Sequence, residues 1–172
     1  MPEPAALHID RIATPIGALI IIADGRNRLR AIDWEDHEAR MLQLLTRYCG
    51  KAGFTLTRRR DPGGLSSAMR AYFKGDLHAI DALAADTGGT AFQQKVWREL
   101  RRIPCGKTIS YADLAARIGK PKAVRAAGLA NGANPVSIVL PCHRVIGSDG
   151  SLTGYGGGLH RKRWLLAHEQ TA

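Results

Sequence analysis

The sequence predicts an α/β protein of the α+β kind: a small N-terminal unit of strands and helices over residues 1–86, then a mostly helical C-terminal unit over 87–172. Three observations predict it. Apolar stretches of strand length, 16–23 and 29–34, fall in the first half. Paired helix-start signals, Thr90 with Gln93 and Ser110 with Asp113, fall in the second. Between them, Asp86-Thr87-Gly88-Gly89 is a loop-forming cluster that coincides with a jump in charge. Residues 1–86 hold 12 bases and 11 acids, whereas residues 87–172 hold 13 bases and 4 acids.

In the first unit, 16–23 reads as a strand and 29–34 alternates like one. Met41, Leu44, Leu45 and Tyr48 recur at helical spacing before Gly50, and Phe54 to Thr57 alternates again. Asp61-Pro62-Gly63-Gly64 then breaks the chain ahead of a short helix carrying Met69, Tyr72 and Phe73. No chemical constellation stands out here. The run Arg58-Arg59-Arg60 reads as a solvated strand end, and His8, His37 and His78 have no partners at metal-ligand spacing.

In the second unit, Phe92, Val96, Trp97 and Leu100 form the apolar stripe of the helix that Thr90 starts. Ser110 opens a short helix with Leu114, Ala115 and Ile118 inward, which must stop at Gly119 because Pro121 follows. A further helix spans 123–131. Two short helices around a glycine turn, about 110–131, in the basic half are a helix-turn-helix candidate, and equally a hairpin used only for packing. Its second helix is small and apolar, leaving Lys122, Arg125 and Asn131 to reach bases or phosphates. Such a face lacks the bidentate partners of a major-groove reader and suits a narrow groove without sequence readout, with one arginine as a wedge in the base stack.

Composition limits the alternatives. The chain has 172 residues, 45% hydrophobic and 23% charged, which excludes wholesale disorder and collagen-like folds. The longest purely apolar run, Ala18 to Ala23, falls far short of the ~20 residues that cross a bilayer. The opening residues carry an early acid and no apolar core, so no secretory signal is expected. Three cysteines, an odd number without short pair spacing, argue against a disulfide framework or zinc cage and agree with a cytoplasmic location. The net charge of +10 reads either as solubility or as a surface for nucleic acid.

Asn134-Pro135 is a turn signal, after which Val136, Ile138, Leu140 and Cys142 alternate as an extended stretch closed by Pro141. Cys49 and Cys105 read as small buried hydrophobes. Cys142 differs because His143 adjoins it and an acid, Glu169, follows in the C-terminal helix. A nucleophilic cysteine needs a base and an orienter for that base, since a thiol with pKa ~8.5 is only a few per cent ionised at pH 7.

Pro141-Cys142-His143-Arg144-Val145 resembles the acceptor motif of the O6-alkylguanine-DNA alkyltransferases, and the likeness extends through IPCGKTISYADLAARIG, NGANPVSIVLPCHRVIG and LTGYGGGLHRKRWLLAHE. It is strong over about 88–170, and ATPIGALIIIAD and the FKG segment carry it into the first half. The resemblance implies a ribonuclease H-like N-terminal scaffold and repair of O6-alkylguanine and O4-alkylthymine in double-stranded DNA, by base flipping and irreversible, single-turnover transfer to Cys142. No metal or cofactor is implied, and a monomer without membrane contact is expected. His143 resembles the base that takes the thiol proton through a water, Glu169 its partner, and Asn134 the residue tying the helix-turn-helix to the active-site strand. Tyr111 resembles the donor to the leaving purine. Arg125 resembles the finger filling the flipped base's gap, with Lys122, Ala126, Gly128 and Asn131 on the same DNA-facing helix. Val145, Ser137, Tyr155, Gly156 and Gly157 would line the base pocket. Some relatives carry serine where Gly156 stands, so only a backbone N–H remains there to contact O6. Two rivals are a multiple-turnover cysteine hydrolase, which needs no basic helix-turn-helix, and a non-enzymatic lesion-binding regulator, which needs no Cys142.

Overall fold

The computed structural model describes residues 2–170. They form two compact units that divide between Gly89 and Thr90.

The first unit is built on strands β1 (Ala5–Ile12), β2 (Leu19–Ala23), β3 (Leu29–Trp34) and, after helix α1 (Glu38–Cys49), β4 (Phe54–Arg58). The sheet order is β3-β2-β1-β4, antiparallel except for the β1–β4 pair. All five β2 side chains are buried, which is why this segment reads as a continuous apolar run rather than an alternation. Ile20 and Ile22 pack with Leu7 of β1 and with Met41 and Leu45 of α1. Asp10, on the opposite face of β1 because neighbouring side chains alternate, accepts from Ser66 Oγ at 2.6 Å. Ser66 belongs to helix α2 (Leu65–Phe73), so a helix covers each face.

The expected strand over 16–23 starts only at Leu19, because Thr14 and Gly17 exchange backbone hydrogen bonds of 3.2 and 3.3 Å in a tight turn out of β1. β1 itself goes beyond the sequence reading. Asp61, left-handed at φ 47°, ends the excursion before α2, and Arg58, Arg59 and Arg60 are exposed.

The second unit begins with helix α3 (Ala91–Leu100), whose Thr90–Gln93 capping box closes with bonds of 3.0 and 3.1 Å. A two-residue strand, β5 (Ile109–Ser110), leads into α4 (Tyr111–Arg117), capped by Ser110 and Asp113 in the same reciprocal way. Gly119, at φ 75°, ends that helix in a Schellman motif: its N–H reaches Ala116 O at 3.0 Å and the N–H of Lys120 reaches Ala115 O at 2.9 Å. Helix α5 (Val124–Gly132) follows, and Trp97 Nε1 donates to Ala130 O at 2.8 Å to join α3 to α5.

Residues 136–142 are not the extended stretch that their alternation predicts. The segment is a series of tight turns, with Val139 N on Ser137 O at 2.9 Å and Cys142 N on Leu140 O at 2.7 Å. Each bond spans two residues, the signature of a γ-turn, and the first forces Ile138 to φ 75°. All residues from Asn134 to Val145 are buried, so apolar spacing carries no period here. Cys142–Arg144 make one 3-10 turn, β6 (Val145–Ile146) pairs parallel with β5, and helix α6 (Leu159–Glu169) closes the unit.

Ile20 has no exposed surface. Ile20→Ala is expected to cost about 2–5 kcal/mol, the usual range for emptying a packed aliphatic site, read as a lowered denaturation midpoint.

Candidate active site

The β5–β6 pair sets the geometry. Ile109 lies opposite Val145 and Ser110 opposite Ile146, so the residues just after Cys142 are hydrogen-bonded to those that start α4. Asn134 fixes the approach from the other side. Its Nδ2 donates to Leu140 O at 2.7 Å, and its Oδ1 accepts from Val136 N at 2.9 Å, bracing the strained turn ahead of Cys142.

Cys142 is 6% exposed and His143 not at all. His143 Nε2 meets Glu169 Oε1 at 2.8 Å. Arg144 grips the same carboxylate with Nε on Oε1 at 2.9 Å and Nη2 on Oε2 at 2.8 Å, while its Nη1 donates to Ile103 O at 2.7 Å. Burial alone would raise the Glu169 carboxyl, but the hydrogen bonds from Arg144 and His143 outweigh it and hold the group well below the usual range. Glu169 is therefore a carboxylate, and the hydrogen-bond pattern assigns the proton to His143 Nε2. Nδ1 then carries the lone pair, and it is buried without a hydrogen bond among the described residues. Burial pushes the imidazole pKa down, the fields of Arg144 and Lys162 add to that, and Glu169 opposes it. The ring is a neutral acceptor.

Lys162 escaped the sequence reading, as did Arg144. Both were counted as part of a surface facing a polyanion, yet both are buried, as is Arg161. Lys162 Nζ donates to Val145 O at 2.6 Å, Thr153 O at 3.0 Å and Gly154 O at 3.2 Å, drawing the segment after β6 onto α6. It also lies 5.8 Å from the centre of the Tyr111 ring. Burial pulls its pKa down to about 8, against a raising effect from the charge of Cys142. The signal available in the sequence was its position seven residues before Glu169, on the same face of the helix after two turns.

Tyr111 donates its hydroxyl to Thr153 O at 2.7 Å, and burial raises its pKa. Among the other base-pocket candidates, Val145 and Ser137 are buried. Tyr155 and Gly156 are half-buried and Gly157 is buried, its carbonyl accepting from Arg161 Nη1 at 3.1 Å. Of the DNA-facing candidates, Lys122, Arg125 and Ala126 are exposed on or just before α5, together with Leu129 at 69%. Gly128 is half-buried, and a Cβ there would sit 3.6 Å from the Tyr111 ring. Asn131 is corrected: it is 4% exposed and its Nδ2 points to Cys142 O at 3.4 Å, because its position on α5 turns it into the core rather than toward a nucleic acid. Cys49 is half-buried with Arg30 Nη2 at 3.4 Å from its sulfur, and burial pushes its thiol pKa up. Among the described residues no group of three or more His, Cys, Asp or Glu is arranged to hold a metal ion, and no helix is long and apolar enough to cross a membrane.

Fold and site together define a class: a helix-turn-helix protein with a cysteine centre built into its core. Family models agree in both units. Residues 8–87 match the ribonuclease-like domain, and residues 91–171 the DNA binding domain, of 6-O-methylguanine DNA methyltransferase. The methylated-DNA–protein-cysteine methyltransferase of Shigella flexneri is 53% identical over 160 residues, which cover 93% of this chain and 94% of that protein. The enzyme of the same name from Salmonella typhimurium is 54% identical over the same length and shares. A Mycobacterium tuberculosis OGT solved in complex with DNA superposes with a TM-score of 0.79 at 39% identity, covering 96% of this chain and 93% of that one. The chain belongs to the 6-O-methylguanine DNA methyltransferase family.

The Lys162 amine is expected to titrate near its depressed value of about 8 in an NMR titration of 15N-labelled lysines, against about 10.4 for a free side chain. Lys162→Met should remove that resonance. By removing the donor to the buried Val145 carbonyl it should also lower stability by about 1–3 kcal/mol.

Proposed function

We propose that this protein repairs DNA directly, moving an alkyl group from O6 of guanine, and from O4 of thymine, to the sulfur of its own Cys142. The observation that carries the reading is a buried Cys142 and a neutral His143, held by the ionised Glu169 of α6, on a turn paired through β6 to the strand that opens a helix-turn-helix.

The chemistry balances without a cofactor. His143 Nδ1 takes the Cys142 proton through a water. The thiolate attacks the alkyl carbon in line, an S–C bond forms as the C–O bond breaks, and the purine leaves with the oxygen's electron pair and collects a proton. Tyr111, whose hydroxyl sits in this site, is the donor on that side. The carbon is reachable only outside the base stack, so the nucleotide must be flipped at a cost of a few kcal/mol. Exposed Arg125, on a face otherwise made of Val124, Ala126 and Leu129, fills the gap in the stack from the minor groove. The product is a thioether. Water has no electrophilic carbonyl to attack there, so each molecule reacts once. The protein acts as a monomer in the cytoplasm.

Incubation with a duplex containing O6-methylguanine should add one methylene to the intact mass, on the peptide carrying Cys142, and with excess substrate transfer should stop near one group per molecule. Product formation that continues past this equivalence would mark a hydrolase. Cys142→Ser should abolish transfer while leaving duplex affinity nearly intact, since phosphate contacts lie on other residues, and Cys49→Ser and Cys105→Ser should remain active.

A second measurement separates flipping from chemistry. Arg125→Ala should slow repair of duplex substrate by roughly tenfold or more, since ~1.4 kcal/mol is a factor of ten, yet leave reaction with free O6-alkylguanine unchanged. Equal slowing of free base and saturating duplex would return Arg125 to a packing role.

A further inference from the structure

The alkyl-transfer reaction as derived uses Cys142, His143 and Glu169 and gives Arg144 nothing to do. Yet Arg144 is buried on the same 3-10 turn as the cysteine and makes three hydrogen bonds of 2.9 Å or less. We propose that Arg144 is a positioning residue for this reaction: by occupying the Glu169 carboxylate it keeps His143 in the neutral form that can accept the thiol proton. This rests on the function proposed above.

The argument starts from the cost of a buried carboxylate. An isolated one is so unfavourable that it either takes up a proton or recruits a cation. Without a guanidinium, the nearest group able to supply positive charge would be His143, whose Nε2 already lies 2.8 Å from Oε1. The pair would then rest as imidazolium and carboxylate, and an imidazolium has no lone pair for a thiol proton. Arg144 removes that outcome. Its charge is permanent at any accessible pH, and its planar fork matches both carboxylate oxygens at once. The third bond, to Ile103 O, holds the fork in place. Glu169 can then act on His143 as an acceptor that fixes the Nε2–H tautomer without demanding a second proton.

The charged and titratable groups around His143 all bear on this. Glu169 and Lys162 face it from α6, Arg144 and Cys142 belong to its own turn, and Tyr111 approaches Cys142 from α4. Of these, Glu169 favours the imidazolium, while burial, Arg144 and Lys162 disfavour it. Removing the Arg144 charge raises the pKa of the imidazole, so an acid limb set by His143 must move to higher pH.

The test follows His143 and the reaction separately in wild type, Arg144→Gln and Arg144→Lys. In histidine-labelled protein, the nitrogen shifts of the wild-type His143 ring should give a midpoint below the ordinary imidazole value. Arg144→Gln should raise its midpoint by about one pH unit or more, the scale of a lost charge within ~4–6 Å. The acid limb of transfer from free O6-methylguanine should rise with it, the rate recovering at high pH. Arg144→Lys keeps the charge but loses the fork, so it should hold the low midpoint while lowering the denaturation temperature. A residue that only packed the turn would behave otherwise: Arg144→Gln would lose rate equally at every pH with the His143 midpoint unmoved, and that result overturns the proposal. So does a wild-type His143 midpoint at or above the ordinary imidazole value, a measurement that decides the matter even if Arg144→Gln fails to fold. Failure of the alkyl-transfer function would look different, as wild-type protein with the expected His143 titration and no transfer.

Discussion

The Glu169 carboxylate is the point on which the C-terminal unit is assembled. It ends α6, receives His143 and Arg144 from the cysteine turn and, through Arg144, is tied to Ile103 in the segment after α3. A buried ion pair stabilises a fold only when its geometry is good and its remaining donors and acceptors are satisfied. That condition explains why three separate segments converge here, and why losing either Arg144 or Glu169 alone would leave an unpaired charge inside the protein. The same constraint places Cys142, since a cysteine that directly precedes both partners on one turn has little freedom once they are fixed.

The N-terminal unit shows the opposite use of acids. Asp10 on β1, Asp24 just after β2 and Asp33 on β3 sit on or beside adjacent strands, where a ribonuclease-like sheet could have gathered them. Each is committed to its own neighbour: Asp10 to Asp61 N and Ser66, Asp24 to Arg28, and Asp33 to Arg40.

Where local chemistry decides structure, the sequence was legible. Both capping boxes and the glycine stop at Gly119 depend on residues three or four apart. Legibility failed where tertiary burial overrides local pattern. β1 was missed because Asp10 and His8 look like loop residues until Asp61 and Ser66 are seen to satisfy the aspartate from a distant turn. The run before Cys142 imitated a strand because a turn buried on every side selects apolar residues at every position. Arg144 and Lys162 were invisible as site residues for a related reason: in sequence an interior cation and a surface cation are the same letter.

That last ambiguity alters what the formal charge of the DNA-facing half means for affinity. Of its 13 bases, Arg144, Arg161 and Lys162 are enclosed and occupied with carbonyls or a carboxylate. Association with a duplex is driven largely by displaced counterions, one for roughly each phosphate that a cation neutralises. The enclosed three displace none. The ionic-strength dependence of complex formation is thus bounded by the exposed lysines and arginines alone, and a forecast from sequence charge overstates the electrolyte sensitivity of this protein.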